Sequence, residues 1–257
     1  MSEQAVIQEI VADLRRLGVN TGGVLVVHSS LRSLGHVPGG PETVIRGLIA
    51  ALGARGTLLM PALSYEFVTR KKPRFHIFET PSNVGIIPEY FRTRRGTRRS
   101  VHPTHSVCGI GRLSRQLLEK HYLDDTPCGQ YSLFRLLPSV NGQILMLGCG
   151  LHTNTSMHAI EEIVEPPYLF DAPISYQLVL ENGKAVQKIY RPHSFVGYEQ
   201  RYERIEDYLR SPGLKTGAVL KATCYLIEAR ALWEAALPFL QADPFGFVQE
   251  QILDSTG

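Results

Sequence analysis

Thr155, His158 and Glu161 recur at intervals of three in the stretch Asn154-Thr155-Ser156-Met157-His158-Ala159-Ile160-Glu161-Glu162. Residues three or four apart share one face of a helix. A hydroxyl, an imidazole and a carboxylate would therefore stand in one line. Neutral imidazole takes up a proton near pH 7, and a carboxylate beside it can orient the ring and stabilise its charged form. The same residues also suit a capped helix with a surface histidine. In that case Asn154 or Thr155 offers a side-chain oxygen to a free N–H of the first turn, and residue types alone leave both readings open.

Other polar groups cluster around turns. His102, His105, His152 and His193 lie in or beside them. No HExxH is present, and no Asp or Glu accompanies His102 and His105 at ligand spacing, so no metal is expected. Hydroxyls and backbone N–H groups gather in Ser29-Ser30-Leu31-Arg32-Ser33-Leu34-Gly35, which is neither a Walker loop nor a GxGxxG. Such a loop can hold phosphate or amide oxygens, and it also suits an ordinary strand-to-helix turn. Basic residues cluster at 70–74 and 92–99.

The elements that must carry these groups follow from hydrophobic periodicity. Helices are expected over 4–17, 41–52, 83–92, 114–121, 133–137, 198–210 and 228–240. Apolar strands are expected over 24–28, 57–60 and 143–148, with a further strand at 219–225. Residues 174–180 and 185–190 read as a hairpin about Glu181-Asn182-Gly183-Lys184. Strand, loop, helix and strand in succession over 24–60 mark a parallel pairing. Ligands of such sheets gather at the carboxyl ends of strands, where Ser29 to Gly35 lies. Pro166-Pro167 must stop the helix that bears His158. The long irregular segment 64–99 reads as a lid lining the acceptor side of a cleft.

With 257 residues, 44% hydrophobic and 20% charged, the chain can bury a full core. The net charge of +3 does not by itself argue for nucleic acid. No apolar run approaches a membrane span, and the start lacks the pattern of a signal peptide. Four scattered cysteines form no CxxC pair. A cytoplasmic protein with reduced thiols is expected, with no nucleic acid or membrane partner.

Several stretches, in collinear order over nearly the whole chain, resemble the aminoglycoside 3-N-acetyltransferase family, antibiotic acetyltransferases distinct from the GNAT fold. They are His28-Ser29-Ser30-Leu31-Arg32-Ser33-Leu34-Gly35, Gly56-Thr57-Leu58-Leu59-Met60-Pro61, Thr80-Pro81-Ser82 and Arg99-Ser100-Val101-His102-Pro103-Thr104-His105-Ser106. Thr126-Pro127-Cys128-Gly129, the motif around His158, and Asp243-Pro244 complete the series. Phe78-Glu79-Thr80 and Ser132-Leu133 depart from the family pattern.

The resemblance implies an α/β/α sandwich around a mostly parallel central sheet. A smaller β-rich C-terminal part and the lid at about 64–99 would complete one domain over 1–257. It implies acetyl-CoA as co-substrate, no metal, and a small-molecule amine acceptor: the 3-amino group of the 2-deoxystreptamine ring of an aminoglycoside. Monomer and homodimer are both open. His158 would be the general base, Thr155 a hydrogen-bond donor to the carbonyl oxygen and Glu161 the partner carboxylate, with Glu199 and Glu203 as alternatives to Glu161. Ser29 to Gly35, Val37, Arg99, Ser100 and Ser106 would meet the coenzyme. His102, His105, Glu79 and Asn154 would meet the acceptor. The rivals are another amino sugar or metabolite amine as acceptor, a non-catalytic coenzyme A binding protein, and a metal-dependent hydrolase using His102, His105 and His158.

Overall fold

The computed structural model describes residues 2–251; Met1 and residues 252–257, the outermost parts of the expected domain, lie outside the described residues. Helix α1 (Glu3–Leu17) opens with the Ser2 hydroxyl accepting the Ala5 N–H at 3.3 Å and closes on Gly18. Strand β1 (Val24–Ser29), helix α2 (Gly40–Leu52) and strand β2 (Thr57–Pro61) form the expected crossover, and β1 pairs with β2 in parallel. Next come β3 (Arg74–His76), α3 (Ile86–Thr93), β4 (Arg98–Arg99), β5 (Val107–Gly111), α4 (Ser114–Leu118) and α5 (Leu133–Leu136). Strand β6 (Gln143–Leu147) leads into α6 (Ser156–Val164). The remainder comprises β7 (Ile174–Val179), β8 (Ala185–Tyr190), β9 (Tyr198–Gln200), β10 (Leu214–Val219), β11 (Ala222–Glu228), α7 (Ala229–Ala242) and β12 (Val248–Glu250).

The main sheet has the order β10-β11-β6-β1-β2-β5-β4. Its centre, β6-β1-β2, is parallel and its flanks are antiparallel. Alternate side chains of a strand face opposite sides. Leu25 and Val27 accordingly pack with Ile10, Val44, Ile45 and Leu48 of α1 and α2, whereas Val24 and Val26 pack with Met157, Ile160, Leu232 and Ala236 of α6 and α7. The result is helix on sheet on helix. By the same alternation His28 falls on the α6 side, at the carboxyl end of β1. Among the described residues no helix is long and apolar enough to cross a membrane.

Two smaller sheets, built mostly from the C-terminal half, complete the fold: β3-β7-β8, over a core that includes Phe75, Tyr176, Leu178 and Tyr190, and the pair β9-β12. The segment 64–99 is largely built into these layers and is not a free lid. Strand β3 pairs with β7, α3 buries Ile87 and Phe91, and β4 forms the edge of the main sheet. The helix expected over 198–210 is instead β9 followed by a 3-10 turn over Tyr202–Asp207. Pairing with β12 claims Tyr198–Gln200, and Tyr202 and Ile205, three apart, fit the tighter turn. The strand expected over 219–225 straddles a hairpin: Val219 pairs with Ala222 across a turn in which Leu220 has φ 52°.

Candidate active site

Strand β6 delivers the chain to the cleft through Gly148, whose φ of 71° lies in the left-handed region. A Cβ there would fall 2.8 Å from the Cβ of Ser33. Glycine therefore permits the loop after β1 to lie against the end of β6, where the Ser30 N–H also donates to the Leu147 carbonyl at 2.9 Å. Beyond it, Asn154 Oδ1 accepts the Ser156 N–H at 3.1 Å and fixes the start of α6. Thr155 precedes the helix without a side-chain cap bond. Its hydroxyl is left for the cleft.

That cleft is a cavity of about 590 Å³ between the end of β1, α6 and the segments around Tyr65, Val84 and Phe195. Its size suits a small-molecule site. His28, Ser29, His105, Asn154, Thr155, His158, His193 and Tyr202 line it. The expected helix face is present. His158 Nδ1 lies 3.0 Å from Glu161 Oε2, and Glu161 is fully buried.

The surroundings of Glu161 explain how a buried carboxylate is tolerated. Tyr168 donates to its Oε1 at 2.9 Å and Tyr202 to its Oε2 at 2.7 Å. Charge-assisted hydrogen bonds of this kind compensate for lost water. Burial and the Glu161 carboxylate push both phenols up, so each keeps its proton. The Tyr202 oxygen also lies 2.8 Å from His158 Nδ1. With both phenolic protons on the carboxylate, the consistent tautomer places the imidazole proton on Nδ1 and leaves the Nε2 lone pair unused.

A second imidazole–carboxylate pair adjoins the first. His193 Nε2 lies 2.8 Å from Glu162 Oε1. Glu162 also accepts the Cys128 N–H at 2.7 Å and the Thr126 hydroxyl at 2.6 Å. Burial raises the Glu162 carboxyl to about 7, against those hydrogen bonds. Burial holds His193 and His105 well below the usual imidazole range, as it does His28, lowered to about 3. The His158 and His193 ring centroids are 4.9 Å apart. Phe195, with φ 54°, packs 5.2 Å from the His158 centroid. A non-glycine residue held there marks local strain beside the site.

The other expected contacts divide. His105 lies in the cavity wall, its Nδ1 2.9 Å from the Thr104 hydroxyl. His102 does not line the cavity. Its Nδ1 accepts the N–H groups of Thr104 and His105 at 3.2 and 2.9 Å, and its ring stacks on His121. It is a turn-forming residue, not an acceptor contact. Glu79 is exposed and also outside the cavity lining. Glu199 and Glu203 face Arg201 rather than His158.

Arg99, Ser100 and Ser106 also differ from expectation. The Arg99 guanidinium is buried and donates to the Ala62, Ile77 and Thr80 carbonyls and to the Ser106 hydroxyl. Burial lowers its pKa to about 10. Ser106 donates to Ala62 O at 2.8 Å. Ser100 accepts the Val107 N–H and meets His121 Nδ1 at 3.0 Å. All three bind the chain's own groups. Of Ser29 to Gly35, only Ser29, the last residue of β1, lines the cavity. Leu34 and Val37 join the core, and Arg32 and Ser33 are exposed. Lys221 reaches across from the β10–β11 turn to Gly35, where a Cβ would fall 2.8 Å from its Cδ.

The family described as aminoglycoside 3-N-acetyltransferase matches residues 26–241. Aminoglycoside N(3)-acetyltransferase IV from Salmonella is 32% identical over 245 residues, which cover 93% of this chain and 89% of that protein. The crystal structure of aminoglycoside acetyltransferase AAC(3)-IVa as apoenzyme matches with a TM-score of 0.78 at 30% identity, covering 94% of this chain and 90% of that one. The YokD protein from Bacillus subtilis matches with a TM-score of 0.81 at 27% identity, covering 93% and 94%. The chain belongs to the aminoglycoside 3-N-acetyltransferase family and is an acyltransferase.

Proposed function

We propose that this protein transfers the acetyl group of acetyl-CoA to an amino group of an aminoglycoside, the 3-amino group of its 2-deoxystreptamine ring, by direct transfer with His158 as general base. The observation that carries this reading is the buried Glu161 carboxylate on His158 Nδ1, which leaves Nε2 as the free base in the cleft. Nε2 takes the proton of the acceptor amine as its nitrogen attacks the thioester carbonyl. The carbon–sulfur bond breaks, and the proton passes on to the departing thiolate. Glu161 stabilises the imidazolium that exists between those two events. Charge developing on the carbonyl oxygen is met by donors. The Thr155 hydroxyl and Asn154 Nδ2, a buried amide nitrogen with no partner among the described residues, suit that role. Family membership supports the donor. A structure of a histidine-to-alanine mutant of AAC(3)-IVa, 31% identical to this chain, holds gentamicin.

The coenzyme would extend from Ser29 past Gly35, with Lys221 beside its phosphates. Tyr65, Asn83, Val84 and Pro88 are the share of segment 64–99 in the cavity wall. This unit would act as one domain, as monomer or homodimer, in the cytoplasm.

One observation favours a second acceptor class. Among the described residues no Asp or Glu lines the cavity. Polycationic aminoglycosides call for complementary negative charge, so a singly charged amino sugar or metabolite amine suits the wall equally. Thiol release measured with aminoglycosides and with simpler amino sugars separates the two. Turnover of an aminoglycoside supports the first reading. Turnover of simple amines alone supports the second, and release with no amine of either class contradicts both.

A further inference from the structure

His105, His158 and His193 come from three separate segments, yet one ring nitrogen from each lies within 4.8 Å of the other two. A point no more than about 2.8 Å from all three (4.8 divided by √3) therefore exists between them. Histidine–zinc bonds are about 2.0–2.1 Å long. Inward movement of at most about 0.8 Å by each ring closes the difference.

Each ring already has its other nitrogen engaged. Thr104 Oγ1 is 2.9 Å from His105 Nδ1, Glu161 is 3.0 Å from His158 Nδ1, and Glu162 is 2.8 Å from His193 Nε2. What remains is Nε2 of His105, Nε2 of His158 and Nδ1 of His193. The last is buried and has no hydrogen-bond partner among the described residues. Metal-binding histidines characteristically give their second nitrogen to a carboxylate or another fixed acceptor, which sets the tautomer and raises the basicity of the first. Two of these three rings are held by carboxylates.

We propose that His105, His158 and His193 form a binding site for one divalent transition-metal ion of the zinc class. Three imidazoles suit such ions better than magnesium or calcium, which prefer oxygen. A fourth position stays open toward the cavity. On the reading of His158 as general base, an ion there takes the lone pair that must accept the amine proton. The metal is then an inhibitor competing with the acceptor, and transfer itself needs none.

The test is titration of the chelator-treated full chain with Co²⁺, followed by its visible absorption. One equivalent should bind with the intense spectrum of four- or five-coordinate cobalt, and Zn²⁺ should displace it. Glu162→Gln should weaken binding by about 10- to 100-fold, the usual cost of losing such a supporting group. His193→Ala and His105→Ala should weaken it further, and His152→Ala, elsewhere in the cavity wall, should not. A folded wild-type chain with no saturable cobalt site overturns the proposal. So does a site that survives in folded His193→Ala and His105→Ala, with Cys149 then the alternative ligand. Thiol release in chelator is read separately: its persistence leaves the transferase reading intact whichever way the cobalt titration falls.

Discussion

Glu161 places Oε2 3.0 Å from His158 Nδ1, one helical turn away, and shares that oxygen with the Tyr202 hydroxyl at 2.7 Å. The carboxylate is fully buried. Its charge is balanced by two phenolic donors and one imidazole N–H. This pairing turns a line of residues on a helix into an oriented base.

Replacing Glu161 by Gln keeps the volume and removes the charge. Turnover should fall, by less than the about 100-fold minimum typical of losing the base itself, and coenzyme affinity should hold. Glu161→Ala should in addition unfold at lower denaturant, because two buried hydroxyls lose their acceptor at about 1–3 kcal/mol each. Tyr202→Phe should lower turnover with little change in KM. Wild-type turnover in both Glu161→Gln and Tyr202→Phe means that the ring is oriented by something else.

Arg99 and the loop at Gly35 should behave differently. Arg99→Ala leaves three backbone carbonyls without their buried donor, so stability should drop by on the order of 3 kcal/mol. Coenzyme affinity of the folded fraction should be unchanged. Gly35 has φ 81° and the Lys221 side chain against it. Gly35→Val should disturb the loop and raise the coenzyme Kd, and Lys221→Glu should do so through charge. Calorimetric titration of the three variants decides: a raised Kd for Arg99→Ala alone would return the coenzyme contact to Arg99.

Acid should destabilise the fold well before the ordinary carboxylates titrate. Burial lowers His28 to about 3 and His121 to about 4, and holds His102 well below 6.5. Unfolded, these rings bind protons below about 6.5. Their contribution is therefore intact above that pH and is lost as pH falls through 6.5 toward 4. Asp124, raised to about 6, and Glu162, raised to about 7, act with opposite sign over part of the same range. The histidines outnumber them, so urea midpoints should fall between about pH 7 and pH 4.5, by up to about 1.4 kcal/mol per pH unit for each net proton. A midpoint that rises on acidification means that the carboxylates dominate.

The central layer and the His158 helix were legible because their signals are local. Apolar runs in β1, β2 and β6 and the three-residue spacing of Thr155, His158 and Glu161 need no tertiary information. The partners of Glu161 were not legible. Tyr202 lies 41 residues away, inside a segment whose spacing imitates an α-helix and which folds as β9 and a 3-10 turn. His193 looked like one more turn histidine until the packing of Glu162 against it. Arg99 illustrates the reverse: an arginine in a family motif reads as a coenzyme contact, and only the fold around it shows three backbone carbonyls and the Ser106 hydroxyl already in place as acceptors. The segment 64–99 reads as irregular for a related reason, since β3 is three residues long and acquires its identity by pairing with β7.

The most direct measurement is turnover beside coenzyme affinity for His158→Asn. The account predicts a folded protein with wild-type coenzyme Kd and turnover reduced by about 100- to 10,000-fold, the usual range for loss of a general base. Near-normal turnover in that variant would contradict it.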